Sequence, residues 1–369
     1  LGYSDQYVNK KVIEAINSGN MSTLNTTDEY ELAKLLTDIH KWASMCKFTK
    51  AGGEACAVAV RIARAYSGKD QVAICGYHGW HDWYLALNIS NPKNLDTQLL
   101  PGLKTIGVPK SLSGTANHFF FNDKKSFDEM IKKSKDLGVI IMEVQRQTEP
   151  DISFIKHVKN VAKKLNIVLV FDEITSGFHE NYGGIHLKYN ITPDIAIFGK
   201  ALGNGYPIAA IIGKKKIMDI SQDTFISSTM WTEKLGFSAA IATLKKMKEK
   251  GVQKYNVANG KYLKTKMEKL ADKHELNFSI NGFSSMPNIK FNYSNSDEIM
   301  TFFTQEMLSK GFLAGGKIVL SYKHSKKIIN SYIKSCDDVF KTISFFIKNK
   351  RKIPLKGPIK HNSFQRLTK

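Results

Sequence analysis

Five short apolar runs, separated by stretches of helical spacing, most constrain how this chain can fold. Runs that are apolar at nearly every position are typical of parallel strands buried on both faces. Between the second and third runs, the segment 152–166 has the spacing of an amphipathic helix. The alternation predicts an α/β fold, with a mainly parallel sheet covered by helices. The runs are QVAIC (71–75), GVIIMEV (138–144), IVLVFDE (167–173), IAIFG (195–199) and AAIIG (209–213).

The pattern along the chain predicts two domains. Amphipathic helices are expected at 28–42 and 52–68, the second rich in alanine and valine. After about Val257 the strand pattern gives way to amphipathic helices around one possible strand, NIKFNYS (288–294). We therefore expect a smaller C-terminal α+β domain. The expected parts are an N-terminal segment (1–27), which we expect to be truncated, a large domain (28–257), a small domain (258–347) and a basic tail (348–369).

The chain is strongly basic, with a formal net charge of +21. Eight basic residues and no acid fall in the tail 348–369, and much of the remainder lies on lysine-rich helices. Because no nucleic-acid module is recognisable, we interpret the charge as solvated surface, and expect neither nucleic acid nor a membrane as a partner. The four cysteines are scattered without a C-x-x-C pair, which favours reduced thiols. No apolar stretch approaches the roughly 20 residues of a membrane span, and the first residues lack the layout of a signal peptide, so we expect a cytoplasmic protein.

Polar residues follow the apolar runs at the carboxyl ends of the predicted strands, where open parallel sheets usually have their functional sites. Glu143 lies near the end of the second run, Asp172 and Glu173 end the third, and Lys200 follows the fourth. The carboxyl ends of parallel strands share one edge of the sheet, so we expect these side chains to lie near one another. Two glycines open the helix at 52–68, where free backbone N–H groups can bind an anion such as phosphate.

These residues together favour a pyridoxal phosphate site. Lysine attacks carbonyl groups only when its amine loses its proton, which burial promotes, and Lys200 follows a strand predicted to be buried. Asp172 supplies a carboxylate that could face a cationic ring nitrogen, as a pyridine-based cofactor requires. Each feature is common when taken alone, because a lysine at a strand end usually reaches into solvent and an Asp-Glu pair often caps a helix. Their combination in this chain order is what indicates the cofactor.

The chain resembles the class III aminotransferases of the pyridoxal-phosphate fold type I, and more narrowly the branch like glutamate-1-semialdehyde aminotransferase. The resemblance implies the fold type I architecture, with a large domain and a smaller C-terminal domain. The matching stretches are KAGGEACAVAVRIARAYSGKD (50–70), ICGYHGWHDWY (74–84), VFDEITSGF (170–178), PDIAIFGKALGNGYPIAA (193–210) and ISSTMWTEKLGFSAA (226–240).

The resemblance also implies roles for single residues. Lys200 forms a Schiff base with the cofactor and shuttles a proton, while Asp172 keeps the pyridine nitrogen protonated. Gly52 and Gly53 bind the phosphate through backbone N–H groups. The family often has serine or threonine at the second of these positions, so Gly53 removes a hydroxyl contact.

Further implied contacts involve both faces of the ring and a second subunit. Tyr77 stacks on the ring with His78 beside it, and Ile174 presses on the opposite face. Thr229 reaches the phosphate of the neighbouring subunit, which implies a homodimer with active sites at the interface.

Candidate substrate residues come from looser matches. EVQRQTEP (143–150) resembles a family segment only approximately, and it makes Glu143 and Arg146 candidates. Ser22 and Thr23 lie in a stretch that resembles the region approaching the active site from the partner subunit. His78 and His81 with Asp82 form a possible metal group, but the glycine and tryptophan between the histidines favour loop packing, and we predict no metal.

The predicted function is transfer of an amino group from an amino donor to a keto or aldehyde acceptor by a ping-pong route. An aminomutase of the glutamate-1-semialdehyde type would use the same residues, and the fold also hosts racemases and epimerases. From another class, the chain is alternatively a catalytically silent pyridoxal-phosphate-binding protein. His179, which stands where the family usually has an arginine, is the departure that favours this alternative.

Overall fold

The computed structural model describes residues 1–146 and 148–364 and divides the chain into two compact units. The first unit comprises Leu1–Gln145 and Pro150–Lys250, and the second comprises Arg146–Glu149 and Gly251–Lys369. Gln147 in the segment 143–150 and residues 365–369 of the basic tail lie outside the described residues.

A seven-stranded sheet forms the centre of the first unit, in the order β1-β7-β6-β5-β4-β2-β3. Strands β2 to β6 pair in parallel, as the apolar runs predict, and the mainly parallel α/β fold is confirmed. Nearly every residue of β4, β5 and β6 is buried, since both faces of the sheet are covered. The strands are β1 (Met45–Thr49), β2 (Gln71–Cys75), β3 (Ala116–His118), β4 (Leu137–Glu143), β5 (Val168–Asp172), β6 (Ile195–Phe198) and β7 (Ala209–Gly213).

Strand β7 differs from the expected parallel arrangement. It pairs antiparallel with β6, with Ile195 opposite Gly213, and antiparallel with β1 on its other side. The connection from β6 to β7 holds only a short 3-10 turn, Lys200–Leu202, and no crossover helix. A parallel return needs about a dozen residues or more, so this connection reverses the chain instead.

Helices cover the sheet in the first unit. The helix Gly52–Ser67 packs a face of alanine, valine and isoleucine side chains against the sheet, and it ends at Gly68 in the left-handed conformation with φ 64°. The helices are α1 (Gln6–Asn17), α2 (Thr27–Ile39), α3 (Gly52–Ser67), α4 (Asp82–Leu85), α5 (Leu87–Ser90), α6 (Lys124–Lys133), α7 (Ile152–Lys164), α8 (Ile185–Lys188), α9 (Lys215–Met218) and α10 (Lys234–Lys250).

The second unit has its own core, formed by three helices and a two-stranded antiparallel sheet. The predicted strand at 288–294 lies at Pro287–Phe291. After the last helix the basic segment stays against this unit, because Ile353 is buried and the Lys356 amide donates to Gln305 Oε1 at 2.7 Å. The elements are α11 (Val252–Lys273), β8 (Phe278–Gly282), β9 (Pro287–Phe291), α12 (Ser296–Ser309) and α13 (Lys326–Lys348).

Within the described part of the chain, every helix is too short or too polar to cross a bilayer.

Candidate active site

Lys200 lies at the edge of the sheet, two residues after the end of β6. Its φ is +44°, in the left-handed region that residues with a Cβ rarely adopt, and it begins the 3-10 turn Lys200–Leu202. Such a backbone conformation costs of order 1 kcal/mol or more and is retained where the surrounding structure imposes it. The turn directs the chain back into β7 and sets Lys200 at the carboxyl end of the parallel strands.

The side chain of Lys200 is exposed, so the expectation that it is sheltered is wrong for this chain taken alone. The residues of β6 and the following Gly199 are buried, whereas Lys200 points away from the edge of the sheet. Its Nζ donates a hydrogen bond of 2.6 Å to Thr175 Oγ1, in the loop after β5. Thr175 was not among the site residues predicted from the sequence.

Asp172 ends β5 and is 4% exposed. Its Oδ1 accepts from the Ile174 amide at 2.9 Å, and its Oδ2 accepts from His78 Nδ1 at 2.8 Å. The Sγ of Cys56, on α3, lies 3.5 Å from the same Oδ2. Since β5 and β6 are neighbouring parallel strands, Asp172 and Lys200 follow adjacent strand ends.

Glu173 anchors a buried polar cluster beneath this edge. Its carboxylate accepts from the Ile185 amide at 3.0 Å, from the His186 amide and Nδ1 at 2.8 Å each, and from the Ser176 hydroxyl. Burial alone raises the pKa of Glu173, but the bonds from His186 and Ser176 outweigh it and hold the pKa below its ordinary value. Glu173 is therefore a buried, ionised anchor for the loop that carries Thr175.

Two aromatic residues extend this cluster toward the end of β6. Trp42 Nε1 donates to His186 Nε2 at 3.1 Å, and the ring of His40 stacks on that of His186 with centroids 5.4 Å apart. The His40 ring also contacts Phe198, the last residue of β6, at 5.0 Å. Histidines give no local sequence signal for such a partner, because His40 and His186 are far apart in the chain.

Gly52 and Gly53 form the first turn of α3, where backbone N–H groups have no intrahelical acceptor. A Cβ on Gly52 would lie 2.9 Å from Ile174 Cδ1, so Ile174 packs directly against the helix start. A Cβ on Gly53 would lie 3.0 Å from Cε1 and 3.1 Å from Nδ1 of His81. The imidazole of His81 therefore occupies the space beside Gly53 where a serine or threonine side chain would begin.

Tyr77 and His78 lie on the loop that follows β2. Gly76 has φ +119°, and a Cβ there would lie 2.4 Å from Glu143 Oε2, which accepts from the Tyr77 amide at 3.2 Å. Tyr77 is about half exposed, and its pKa is raised by burial and then by Cys56 and Asp172. Among the described residues, the buried Nε2 of His78 has no hydrogen-bond partner.

The other predicted site residues fall in two places. Ser22, Thr23 and Thr229 are all exposed. The Oγ1 of Thr232, in the 3-10 turn Thr229–Thr232, donates to the Ser22 carbonyl at 3.4 Å. The segments of Ser22 and Thr229 are thus neighbours within the first unit. Arg146 belongs to the second unit, whereas Glu143 belongs to the first.

The possible metal group differs from the one weighed in the sequence. Among the described residues, the ligand atoms of Cys56, His78 and Asp172 lie within 4.8 Å of one another. His78 and Cys56 both direct their polar atoms at Asp172 Oδ2, and we interpret the group as a hydrogen-bonded cluster around this carboxylate.

Comparison with known proteins identifies the family. Residues 1–329 match the family described as aminotransferase class-III. The chain belongs to the class III aminotransferases. The resemblance seen in its motifs is thereby confirmed.

Named relatives of this class III aminotransferase include both aminotransferases and aminomutases. It is 30% identical over 300 residues to the 3-aminobutyryl-CoA aminotransferase of Cloacimonas acidaminovorans, covering 79% of this chain and 68% of the relative. It is 29% identical to the glutamate-1-semialdehyde 2,1-aminomutase of Sulfolobus acidocaldarius, covering 90% and 83% of the two chains.

Solved structures of similar fold include several transaminases. The FumI protein of Sphingopyxis sp. MTA144, solved with pyridoxal phosphate, superposes with a TM-score of 0.84 at 22% identity, covering 94% of this chain and 83% of that one. An omega-transaminase from Sphaerobacter thermophilus has a TM-score of 0.82 at 19% identity, covering 93% and 84%. At these identities the likeness shows only that this class III aminotransferase shares its fold with those proteins.

Proposed function

We propose that this class III aminotransferase uses pyridoxal phosphate, attached at Lys200, to move an amino group between an amino donor and a keto or aldehyde acceptor. The main observation in support is the arrangement at adjacent strand ends. Lys200 follows β6, Asp172 ends β5, and the first turn of α3 lies against Ile174 beside them. An amine, a buried carboxylate and an anion-binding helix start are the groups that this cofactor requires.

The residues present fit the cofactor. Oδ1 of Asp172 accepts one backbone bond and keeps a lone pair for a protonated ring nitrogen. The first-turn amides of Gly52 and Gly53 suit the phosphate, and the missing side chains let it approach closely. Ile174 and Tyr77 offer an apolar and an aromatic wall for the two faces of a ring.

When bound, the cofactor supplies an aldehyde for amines and a ring that withdraws electrons. The side chains of this protein hold and transfer the protons. Asp172 holds the proton at the ring nitrogen, because a buried carboxylate stabilises a neighbouring cation. Lys200 Nζ accepts the proton that leaves the substrate and returns it at the next step. Glu143, Arg146, Ser22 and Thr23 remain proposed substrate contacts, and His78 a proposed neighbour of the ring.

A second candidate function is an aminomutase of the glutamate-1-semialdehyde type. It is favoured by the relatives of this name in Sulfolobus acidocaldarius and Methanobrevibacter smithii, which are 29% and 30% identical to this chain. An aminomutase moves the amino group within one molecule, so it needs no separate acceptor.

We also propose a homodimer in which Thr229 reaches the phosphate of the neighbouring subunit, and a cytoplasmic location. The dimer is supported by the surface around Thr229. Phe225 is 88% exposed, and a groove of about 830 Å³ lined by Phe225, Trp83 and Trp231 lies beside this segment. The groove combines apolar side chains with Arg61, Arg64 and Asp70, and an exposed phenylalanine beside such a groove suits burial against a second copy.

Reductive trapping tests the assignment of Lys200. The protein is loaded with pyridoxal phosphate, reduced with borohydride and digested, and the labelled peptide is mapped by mass spectrometry. We expect the label on Lys200, and no label at that peptide in Lys200→Ala. A label on another lysine, or none, would overturn the proposal.

A substrate screen then separates the candidate functions. Amino donors that change the visible absorbance of the loaded protein, followed by recovery with a keto or aldehyde acceptor, support the aminotransferase. Isomerisation of a 4-amino-5-oxo acid without any added acceptor supports the aminomutase. A loaded protein whose absorbance no amino compound changes is a silent binder, and this outcome would overturn both activities.

A further inference from the structure

Cys56 is a buried residue to which neither the sequence motifs nor the proposed mechanism assigns a role. It lies on α3, three residues after Gly53, and is fully buried. Its Sγ lies 3.5 Å from Asp172 Oδ2, within hydrogen-bonding distance for sulfur. The helix that begins at the proposed phosphate site therefore also reaches the proposed ring-nitrogen partner.

The thiol of Cys56 is protonated and acts as the donor. Burial raises the pKa of Cys56 well above its ordinary value, and the nearby Asp172 carboxylate raises it further. The S–H group is the donor in the contact with Asp172, so it points its hydrogen at Oδ2.

The two oxygens of Asp172 are bonded differently. Oδ2 receives the Cys56 thiol and His78 Nδ1, which together use both of its lone pairs. Among the described residues, the hydrogen bond that Oδ1 receives comes from the Ile174 amide, at 2.9 Å. The carboxylate is thereby held in one orientation, with Oδ1 as the oxygen that has acceptor capacity to spare.

We propose that Cys56 is a positioning residue for Asp172, and that its thiol bond to Oδ2 turns Oδ1 toward the ring nitrogen of the cofactor. This inference rests on the proposed function, because it assigns Asp172 to that nitrogen. The thiol also withdraws negative charge from the carboxylate, since hydrogen bonds to the charged form stabilise it. Cys56 thus sets both the direction of the Asp172 carboxylate and the strength with which it binds the proton of the ring nitrogen.

The first experiment uses the cofactor-free protein and measures the S–H stretching band by infrared difference spectroscopy. The Cys56 band is obtained by subtracting the spectrum of Cys56→Ala from that of the wild type. We expect it at lower wavenumber than the band of the buried Cys336, which is obtained in the same way from Cys336→Ala. The Cys336 Sγ lies 4.0 Å from Met307 Sδ, and a thioether sulfur is a weaker acceptor than a carboxylate. In Asp172→Asn the Cys56 band should move to higher wavenumber, because an amide oxygen is a weaker acceptor than a carboxylate.

The second experiment measures release of bound pyridoxal phosphate, in the wild type, Cys56→Ala, Cys56→Ser and Cys336→Ala. Loss of one hydrogen bond from a thiol, which is a weak donor, predicts release roughly three- to tenfold faster in Cys56→Ala. Cys56→Ser keeps a donor in nearly the same volume and should restore the wild-type rate, and Cys336→Ala should leave it unchanged. The pH at which the absorbance of the loaded protein changes should move in Cys56→Ala and return in Cys56→Ser.

The outcomes separate this inference from the proposed function. If the Cys56 band matches that of Cys336, or if the alanine and serine variants release cofactor alike, Cys56 only fills space and the inference is overturned while Lys200 attachment stands. If the wild type retains no cofactor at Lys200, the proposed function fails, and with it the role of Cys56 toward the ring. The infrared band then still reports whether the bond to Asp172 exists.

Discussion

Lys200 Nζ and Thr175 Oγ1 are 2.6 Å apart, which joins the chain after β6 to the loop after β5. The two residues follow neighbouring parallel strands, so the bond spans the edge of the sheet where the chemistry is proposed. Thr175 itself lies on a loop that Glu173 anchors by its buried bonds to His186. Through Thr175, the buried polar cluster around Glu173 thereby helps to fix the direction of the exposed Lys200 side chain.

Replacement of Thr175 by valine should slow attachment of pyridoxal phosphate to Lys200. Valine keeps the shape and removes the hydroxyl, so the amine loses its acceptor and its fixed direction. We expect the rate of attachment, followed by visible absorbance, to fall about tenfold. Thr175→Ser, which retains the hydroxyl, should attach the cofactor at nearly the wild-type rate. Equal rates for valine and serine variants would contradict a positioning role for this hydroxyl.

Replacement of Glu173 by glutamine should destabilise the protein strongly. The glutamine NH₂ group would face amide and imidazole donors that now bond to a carboxylate, and we expect a loss of about 3 kcal/mol in the free energy of unfolding. Urea unfolding at neutral pH measures it, with the exposed Glu129→Gln as the matched control. Because the pKa of Glu173 is lowered, its stabilisation is complete above its ordinary value of 4.5 and decreases as the pH falls below it. A loss no larger than in the control would contradict the anchoring role.

His40 should make the free energy of unfolding depend on pH between about 6.5 and 4. Burial, and then the neighbouring His186, lower the pKa of His40 from 6.5 to about 4. Between these values the unfolded chain binds more protons than the folded one, so stability is fully present above pH 6.5 and is lost as the pH falls. The shift corresponds to about 3 kcal/mol.

Urea titrations at pH 7.5 and pH 4.5 measure this dependence. His40→Gln should lower stability at pH 7.5 and flatten the decrease toward pH 4.5, while His157→Gln, a partly exposed histidine paired with Asp128, should keep the wild-type slope. An unchanged slope in His40→Gln would show that the buried imidazole does not carry the pH dependence.

The parallel part of the sheet was predictable from sequence because burial on both faces leaves a local trace. Each of the runs ending near Glu143, Asp172 and Lys200 is apolar throughout, and polar residues mark where it ends. The antiparallel β7 has the same apolar composition, and its direction depends on the connection rather than on the run. The strand β1 was not predicted, because its sequence MCKFT is only partly buried and includes Lys47.

The polar cluster and the Cys56 contact were not predictable, because their partners are distant in the chain. His40 bonds to the Gly183 carbonyl, 143 positions away, and Cys56 meets Asp172 across 116 positions. No periodicity or motif links such residues, and only the packing of α3 and the loops brings them together. Lys200 was likewise expected to be sheltered because its strand is buried, but the left-handed turn after Gly199 directs it outward.

A mixed dimer tests whether Thr229 serves the neighbouring subunit. Subunits carrying Lys200→Ala are combined with subunits carrying Thr229→Val, and the mixed dimer is purified with two different tags. If Thr229 acts across the interface, one of the two sites has both residues intact, and pyridoxal phosphate should bind it with wild-type affinity. If Thr229 acts within its own subunit, neither site is intact, and the mixed dimer should bind no better than the Thr229→Val homodimer.

Serine at position 53 should destabilise the protein unless His81 is made smaller. The imidazole of His81 lies about 3 Å from where the new Cβ would stand, so Gly53→Ser forces the ring to move and should cost about 1 kcal/mol in the free energy of unfolding. In the double variant Gly53→Ser with His81→Ala the collision is absent, so its loss of free energy of unfolding should be about 1 kcal/mol smaller than the sum of the losses in the two single variants. Gly53→Ser combined with His157→Ala, a distant histidine, should be additive. Additive costs in both pairs would show that His81 does not occupy the space beside Gly53.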